Sequence, residues 1–333
     1  MSFCYCDWRM PRIVIPDDAP PVMAPSAAYR KLLAQTQVEY YDTLPGAEDR
    51  LIERIAAAEI VINIRSSTRF TENVFRNCPA LRLLSLWGTG TDNVDLPIAA
   101  RHGVTVTNTP GVSAFSIAEH ALALMLAVAR RIPLIEHGIR QGLWPRGQAV
   151  QLHGKTLGII GLGAVGRQFA RLGAAIGMRV IAWTMHPDPS LGFELVPLDD
   201  LLRASDVVSL HLRLSDDTRG FLNKPELAMM KTSAILVNTA RGPIVDETAL
   251  VEALASGRVA GAGLDVFDVE PLPPGHPLTQ FENVVLTPHC AGITPEALEA
   301  GLELSIANVW NFLGGHPTNV VAGGALSHPA TPT

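Results

Sequence analysis

The sequence predicts an α/β protein made of two units, each a parallel sheet with helices on both faces. Three observations carry this prediction. Short β-branched runs alternate with helix-period segments along most of the chain. The alternation restarts after a long strand-free helix near residues 113–131. Several of the runs are apolar throughout, as strands buried on both faces are.

In the first unit the expected strands are Arg12–Ile15, Ile60–Ile64, Leu83–Leu86 and Thr105–Thr107. Between them, Glu48–Ala57 places Leu51, Ile52, Ile55 and Ala56 at the spacing of one helical face. In the second unit the strands are Thr156–Ile160, Arg179–Trp183, Val207–Leu210, Ala234–Asn238, Gly261–Asp265 and Val284–Leu286. Helices fall between these strands, for example Glu247–Ser256, which Gly257 closes. Ser113–Arg131 and Pro295–Leu313 read as further helices, and Gly323–Thr333 as a frayed tail.

Composition narrows the function classes. The 333 residues suggest about two domains, and 47% hydrophobic with 17% charged residues is ample for full cores. A net charge of −6 with no dense Lys/Arg run argues against nucleic acid as a partner. The most apolar stretch, Ile117–Val128, is interrupted by Glu119 and His120 and is too short to span a bilayer. No secretory signal is read at the N-terminus. Cys4, Cys6, Cys78 and Cys290 show no metal-type spacing and are expected as free thiols, so a cytoplasmic location and no metal site are expected.

After the strand Thr156–Ile160 comes Gly161-Leu-Gly163-Ala164-Val165-Gly166. This fits G-x-G-x-x-G between a buried strand and an amphipathic helix. The first glycine permits the tight turn, the second lets the backbone approach a pyrophosphate, and the third lets helix and strand pack closely. The helix N-terminus offers N–H groups and partial positive charge to the phosphates. Dinucleotide binding is therefore expected.

The next strand should end in Asp or Glu to bind the ribose 2′-hydroxyl, but Thr184 stands there. A carboxylate would repel a 2′-phosphate, so its absence leaves NAD and NADP both open. His186, Asp188 and Arg213 are the nearby polar candidates.

Three residues at strand ends suit the reduction of a 2-oxo acid. Arg241 follows Val237-Asn-Thr-Ala240, Glu270 precedes Pro271, and His289 follows Leu286-Thr-Pro288. The planar fork of Arg pairs with a substrate carboxylate. His supplies a proton to the carbonyl oxygen, and a neighbouring carboxylate favours its imidazolium form. Open parallel sheets bind ligands beyond the C-terminal ends of their strands.

These segments resemble the D-isomer-specific 2-hydroxyacid dehydrogenases. The resemblance rests on Gly161–Gly166, Val237–Val245, Gly261–Pro271 and Thr287–Gly292. Upstream, it extends to Gly88–Asp95, Thr107–Gly111 and Ala118–Leu124, so that it covers roughly residues 11–320. It implies two Rossmann-like domains with the active site in their cleft. A cofactor domain at 111–292 would be inserted in a substrate domain formed by 1–110 and 293–333.

Within that resemblance, Arg241 binds substrate, His289 is the acid/base, and Glu270 pairs with it. Gly88, Thr89 and Gly90 hold the substrate carboxylate. Gly161, Gly163, Ala164, Val165, Gly166, Thr184, Leu212, Thr239, Ala240, Asp265, His289 and Gly292 line the cofactor site, with Asp265 at the nicotinamide carboxamide. A homodimer through the helix around Ser113–Arg131 is implied, with Trp144 a candidate contact. Arg65, at the end of an early strand, is read as a second substrate contact or a surface residue.

The related formate oxidisers use Gln where Glu270 stands, and the phosphite oxidisers use Lys where Thr89 stands. Neither substrate is therefore expected. No regulatory domain is read after residue 320, so a long serine-pathway phosphoglycerate enzyme is not expected, while a short form stays open. The alternative of a different class is a dinucleotide-sensing corepressor on the same fold. The expected function is NAD(P)-dependent reduction of a small 2-oxo acid, of the glycerate, glyoxylate or hydroxypyruvate type.

Overall fold

The computed structural model describes residues 10–323. It divides into two units, Met1–Val112 with Pro295–Thr333, and Ser113–Thr294. Cys4, Cys6 and nearly all of the tail expected to fray lie outside the described residues.

The first unit opens with β1 (Ile13–Ile15), α1 (Ala27–Leu33), β2 (Val38–Tyr40), α2 (Glu48–Ile55) and β3 (Ile60–Asn63). It continues through α3 (Glu72–Asn77), β4 (Leu83–Leu86), α4 (Leu96–Arg101) and β5 (Thr105–Thr107). The second unit begins with α5 (Ala114–Arg130), α6 (Ile132–Arg140), β6 (Thr156–Ile160), α7 (Ala164–Ala175) and β7 (Arg179–Trp183). There follow β8 (Glu194–Leu195), α8 (Leu198–Ala204), β9 (Val207–Leu210), α9 (Lys224–Met229) and β10 (Ile235–Asn238). It ends with α10 (Glu247–Ala255), β11 (Gly261–Leu264) and β12 (Val284–Leu286). The chain then returns to the first unit as α11 (Pro295–Leu313) and β13 (Val320–Ala322).

The first sheet has the order β13-β5-β4-β3-β1-β2 and the second β12-β11-β10-β9-β6-β7-β8. All pairings are parallel except that of β13, which runs antiparallel to β5 at the sheet edge. The expected parallel sheets are thus found, with one antiparallel strand at the edge of the first. In each sheet the first strand is interior, and the chain builds first to one side of it and then to the other. That reversal creates a crevice at the C-terminal strand ends.

Each sheet is covered on both faces. In the second unit Leu201, Leu227 and Leu250 pack on one face with Ile160, Leu210 and Leu236. Ala121, Met125 and Phe169 pack on the other with Ile159, Val207 and Val237. Alternate strand residues thus feed opposite cores, which is why these strands are mostly apolar on both faces. In the first unit α2, α3 and α4 cover one face, and α1 and α11 the other.

α5 lies unusually close to β11. A Cβ at Gly263 would stand 2.9 Å from Leu124 Cβ, and one at Gly261 2.9 Å from Val128 Cγ1. Glycine is needed at both places for the helix to approach. α10 starts at Asp246, whose carboxylate accepts from Ala249 N–H (3.0 Å). Gly257, just past its end, adopts a left-handed conformation (φ 69°).

Candidate active site

The glycine turn stands where the second sheet reverses, between β6 and β9. Gly161 has φ 98°, and a Cβ there would meet His211 carbonyl O at 2.7 Å. A Cβ at Gly166 would lie 1.9 Å from Gly161 O, so α7 seats on the turn only with glycine there. At Gly163 nothing lies within 4 Å of a Cβ, and the residue is exposed at the N-cap of α7. Ala164 and Val165, partly exposed, form the first turn of that helix. The two packed glycines and the open one between them leave a turn with room for a phosphate group at the start of α7.

His211 stiffens the turn from behind. Its Nε2 lies 3.0 Å from Ser209 Oγ, and its ring is 5.4 Å from that of Phe169. Desolvation pulls its pKa down to about 3, so the ring is neutral and adds no charge at the phosphate turn. Leu212, next along, is partly exposed.

Thr184 lies just past β7 and is partly exposed. Asp188 caps the short turn that follows. Its Oδ1 already accepts the N–H (2.9 Å) and hydroxyl (2.6 Å) of Ser190, which hold its pKa below the usual range. Arg213 is exposed.

After β10 the chain turns on Asn238, whose Oδ1 accepts Ala240 N–H (3.0 Å) and whose Nδ2 donates to Arg241 O (2.9 Å). Thr239 is 7% exposed and its Oγ1 is buried without a hydrogen-bond partner, an orphan that a bound polar group would satisfy. Gly242 lies flat on the loop after β11, since a Cβ would stand 2.0 Å from Phe267 C. This approach brings Arg241 beside Glu270. Arg241 Nη1 also donates to Ala240 O (2.8 Å).

Glu270 Oε2 lies 2.7 Å from His289 Nδ1, and Glu270 Oε1 accepts Phe267 N–H (3.0 Å). Desolvation pushes the Glu270 pKa up. The hydrogen bond and charge of His289, the Phe267 N–H and the charge of Arg241 outweigh it, and the group is held below its ordinary value. The carboxylate is therefore ionised at neutral pH, facing a ring nitrogen. Both side chains remain 35% exposed, open to a ligand. With Nδ1 turned to Glu270, His289 Nε2 is the atom left to exchange a proton with substrate.

His289 has φ 51°, one of three non-glycine residues with positive φ among those described. Asp265, 1% exposed, lies behind this turn. Its Oδ1 accepts the Thr287 hydroxyl (2.5 Å) and Cys290 N–H (3.0 Å), and its Oδ2 accepts Ala291 N–H (2.9 Å). His120 Nε2 stands 2.9 Å from Thr287 Oγ1 and 3.5 Å from Asp265. One atom each of His120, Asp265 and Cys290 falls within a 4.8 Å cluster, and hydrogen bonding accounts for it. Gly292 follows, with room for a Cβ 3.4 Å from Ser113 Cβ.

In the other unit, the loop after β4 begins at Trp87, whose indole N–H donates to Leu298 O (3.3 Å) in the space left by Gly301. Gly88 (φ 121°) donates its N–H to Thr109 Oγ1 (2.7 Å), and Asn108 Nδ2 donates to Thr89 O (2.8 Å). The N–H groups of Thr89 and Gly90 donate to no other group among the described residues. Arg65 is neither a surface residue nor a free cation. It is 14% exposed, lies 3.6 Å from the buried Asp18, and donates to Pro20 O.

Sequence reasoning missed the His120–Thr287–Asp265 cluster. His120 was legible only as part of a helix, 145 positions from Asp265, and no spacing rule joins them.

A glycine cradle on a strand-turn-helix unit, an orphaned hydroxyl at a C-terminal strand end of the same sheet and a paired His and Glu define a dinucleotide-dependent oxidoreductase. Comparison with known proteins sharpens this. The family model for the NAD binding domain of D-isomer specific 2-hydroxyacid dehydrogenases matches residues 122–291. The glyoxylate reductase of Aeropyrum pernix is 42% identical over 299 residues, covering 85% of this chain and 89% of that one. The hydroxypyruvate reductase of Thermotoga maritima is 40% identical over 273 residues, 80% and 89% of the two chains. The solved structure of an acyclic imino acid reductase with NADPH and D-Arg has a TM-score of 0.85 at 30% identity, covering 93% of this chain and 99% of that one.

The chain belongs to the D-isomer specific 2-hydroxyacid dehydrogenase family. It is an oxidoreductase acting on the CH–OH group of a 2-hydroxy acid, with NAD or NADP as cofactor. No helix among the described residues is long and apolar enough to cross a membrane.

Proposed function

We propose that this enzyme reduces a small 2-oxo acid of the glyoxylate or hydroxypyruvate class, with His289 as acid/base, Glu270 as its partner and Arg241 binding substrate. The observation that carries the proposal is the 2.7 Å contact of His289 Nδ1 with an ionised Glu270, with Arg241 acting on the same carboxylate. Similarity to proteins named glyoxylate and hydroxypyruvate reductase supports the substrate class.

The nicotinamide, when bound, supplies the hydride. The chain supplies everything else. The Arg241 guanidinium pairs with the substrate carboxylate and polarises the adjacent carbonyl. Gly88, Thr89 and Gly90 are assigned to substrate binding, through the Thr89 and Gly90 N–H groups that Gly88 presents by allowing the turn. His289 Nε2 donates its proton to the carbonyl oxygen, and Glu270 keeps the imidazolium available for that step. Gly161, Gly163, Ala164, Val165 and Gly166 hold the pyrophosphate. Thr184 and Leu212 border the adenosine. Thr239, Ala240, Asp265 and Gly292 border the nicotinamide. The dinucleotide domain is assigned to about 111–292, and the substrate domain to 1–110 with 293–333.

A homodimer completes the proposal. Phe115, Ile132, Ile139, Leu143 and Trp144 are all exposed on or next to α5 and α6, Trp144 at 74%, an apolar surface of the kind a partner subunit covers. The reaction is assigned to the cytoplasm, where the free Cys78 and Cys290 stay reduced.

The test follows NADH and NADPH oxidation separately with glyoxylate, hydroxypyruvate, pyruvate and a branched 2-oxo acid. Turnover highest with one of the first two supports the proposal. Preference for the branched acid overturns the substrate class. Cofactor binding without turnover on any of the four overturns the catalytic assignment.

A further inference from the structure

We propose that His120 and Thr287 are positioning residues for His289, acting through the buried carboxylate of Asp265. The inference deepens the reading of His289 as the acid/base and rests on it.

His289, a non-glycine residue at φ 51°, pays for a disfavoured conformation, on the order of 1 kcal/mol. Such a turn persists only when its neighbours hold it. Here one carboxylate holds both sides. Asp265 accepts the Thr287 hydroxyl from the residue two before His289, and the N–H groups of Cys290 and Ala291 from the two residues after it. The His289 N–H itself donates to Thr287 O (3.0 Å). His289 therefore projects from a turn tied down at three points.

The proton inventory gives the cluster a direction. Thr287 has a single hydroxyl proton, and the 2.5 Å contact assigns it to Asp265. Thr287 Oγ1 is then the acceptor in its 2.9 Å contact with His120, so His120 Nε2 carries a proton. The chain runs from His120 N–H to Thr287 O–H to the Asp265 carboxylate, which also takes the two backbone N–H groups. His120 is delivered by α5, which Gly261 and Gly263 allow to pack directly on β11, the strand leading into Asp265. Helix and turn are thereby coupled through two side chains.

His120 and Thr287 contact each other and Asp265, not the His289 ring. Their effect is on where the His289 ring points, and hence on its contact with Glu270. Glu270 faces His289, and Arg241 acts on the same Glu270 carboxylate. His120 and the Cys290 thiol face Asp265 from α5 and from the turn.

The experiment compares Thr287→Val, which keeps the shape and deletes the hydroxyl, with Thr287→Ser, which restores it. His120→Leu and His120→Gln form the parallel pair, since the Gln amide can reach the Nε2 position. Thr287→Val and His120→Leu should lower kcat at least tenfold, with the dissociation constant for NADH or NADPH unchanged within threefold. They should also move the alkaline limb of the reduction profile to lower pH, because a loosened His289 pairs less with Glu270. Amide hydrogen exchange at Cys290 and Ala291 should accelerate at least tenfold. Thr287→Ser and His120→Gln should recover all these readouts to within threefold of the parent.

Unchanged kcat and exchange in Thr287→Val and His120→Leu would overturn the proposal. So would a kcat loss shared equally by Thr287→Ser, or one that follows cofactor affinity. Should Thr287→Val not fold, the His120 pair reads the same chain from its other end. Amide exchange needs no turnover, so it tests the tie on the turn even if His289 proves not to be the acid/base.

Discussion

Both sheets reverse direction beside their first strand, and the two reversal points are built in opposite ways. In the first unit the crevice between β1 and β3 is filled from within. Asp17, just past β1, accepts the N–H groups of Ile64 (3.0 Å) and Arg65 (3.1 Å) and the side-chain amide of Asn63. Asp18 beside it accepts Met23 N–H (2.9 Å) and the Tyr40 hydroxyl (2.9 Å). Both carboxylates are wholly buried, and desolvation leaves Asp17 with a raised pKa despite its donors. In the second unit the same place holds Gly161 and Gly163, no carboxylate, and a helix N-terminus open to a ligand. The same topology thus gives one closed switch point and one open one. Binding follows from whether backbone donors at the strand ends are already taken, and not from the fold alone.

The comparison can be broken at several places. The largest effect is expected from His289→Gln, which should lower kcat for reduction by about 10²–10⁴-fold with cofactor affinity preserved, as measured by single-turnover kinetics and fluorescence titration. Near-normal turnover would remove His289 from the chemistry. Next comes Asp17→Ala. It strands buried N–H groups in the first unit and should cost about 2–4 kcal/mol in chemical denaturation. Affinity for the dinucleotide should not change, since the first crevice binds none. A parallel loss of cofactor affinity would contradict the division between the units.

Glu270 sets two pH limits. Its pKa is lowered in the folded protein, so the stabilisation it draws from His289 is complete above the ordinary carboxylate value and fades as pH falls through the lowered one. The acid limb of the reduction profile should therefore lie below the usual carboxylate range. Glu270→Gln should move the alkaline limb to lower pH, because the imidazolium loses its counter-charge. A profile identical to the parent's would refute the pairing.

The smallest effect is on cofactor choice. Thr184→Asp should shift preference from NADPH towards NADH by roughly tenfold, about 1.4 kcal/mol, read from the ratio of kcat/KM values.

Much of this was legible in the sequence, for physical reasons that differ by element. Val207–Leu210 and Leu83–Leu86 are buried on both faces, so their mostly apolar character, broken only by the small buried Ser209 and Ser85, marks them. Val38–Tyr40, Glu194–Leu195 and Val320–Ala322 carried no such signal. They are two or three residues long and lie at sheet edges, where partial exposure removes the pattern. The glycine turn and the Arg241, Glu270 and His289 loops follow strands directly, and their chemistry sits within a few residues. Arg65 misled because an Arg at a strand end reads as exposed, whereas its partner Asp18 is 47 residues earlier. His120 fails as a signal for the same reason, since only the packing of α5 on β11 brings it to Thr287.

The most direct test of the account is to give the open switch point the closed one's carboxylate. Gly163 has an ordinary backbone conformation and free space around its Cβ position, so Gly163→Asp should fold normally. Titration of this variant with NADH and NADPH is the decisive measurement. The account predicts an unchanged melting temperature with affinity for both cofactors reduced at least a hundredfold, because a fixed negative charge then faces the pyrophosphate. Affinity equal to the parent's for either cofactor would contradict it.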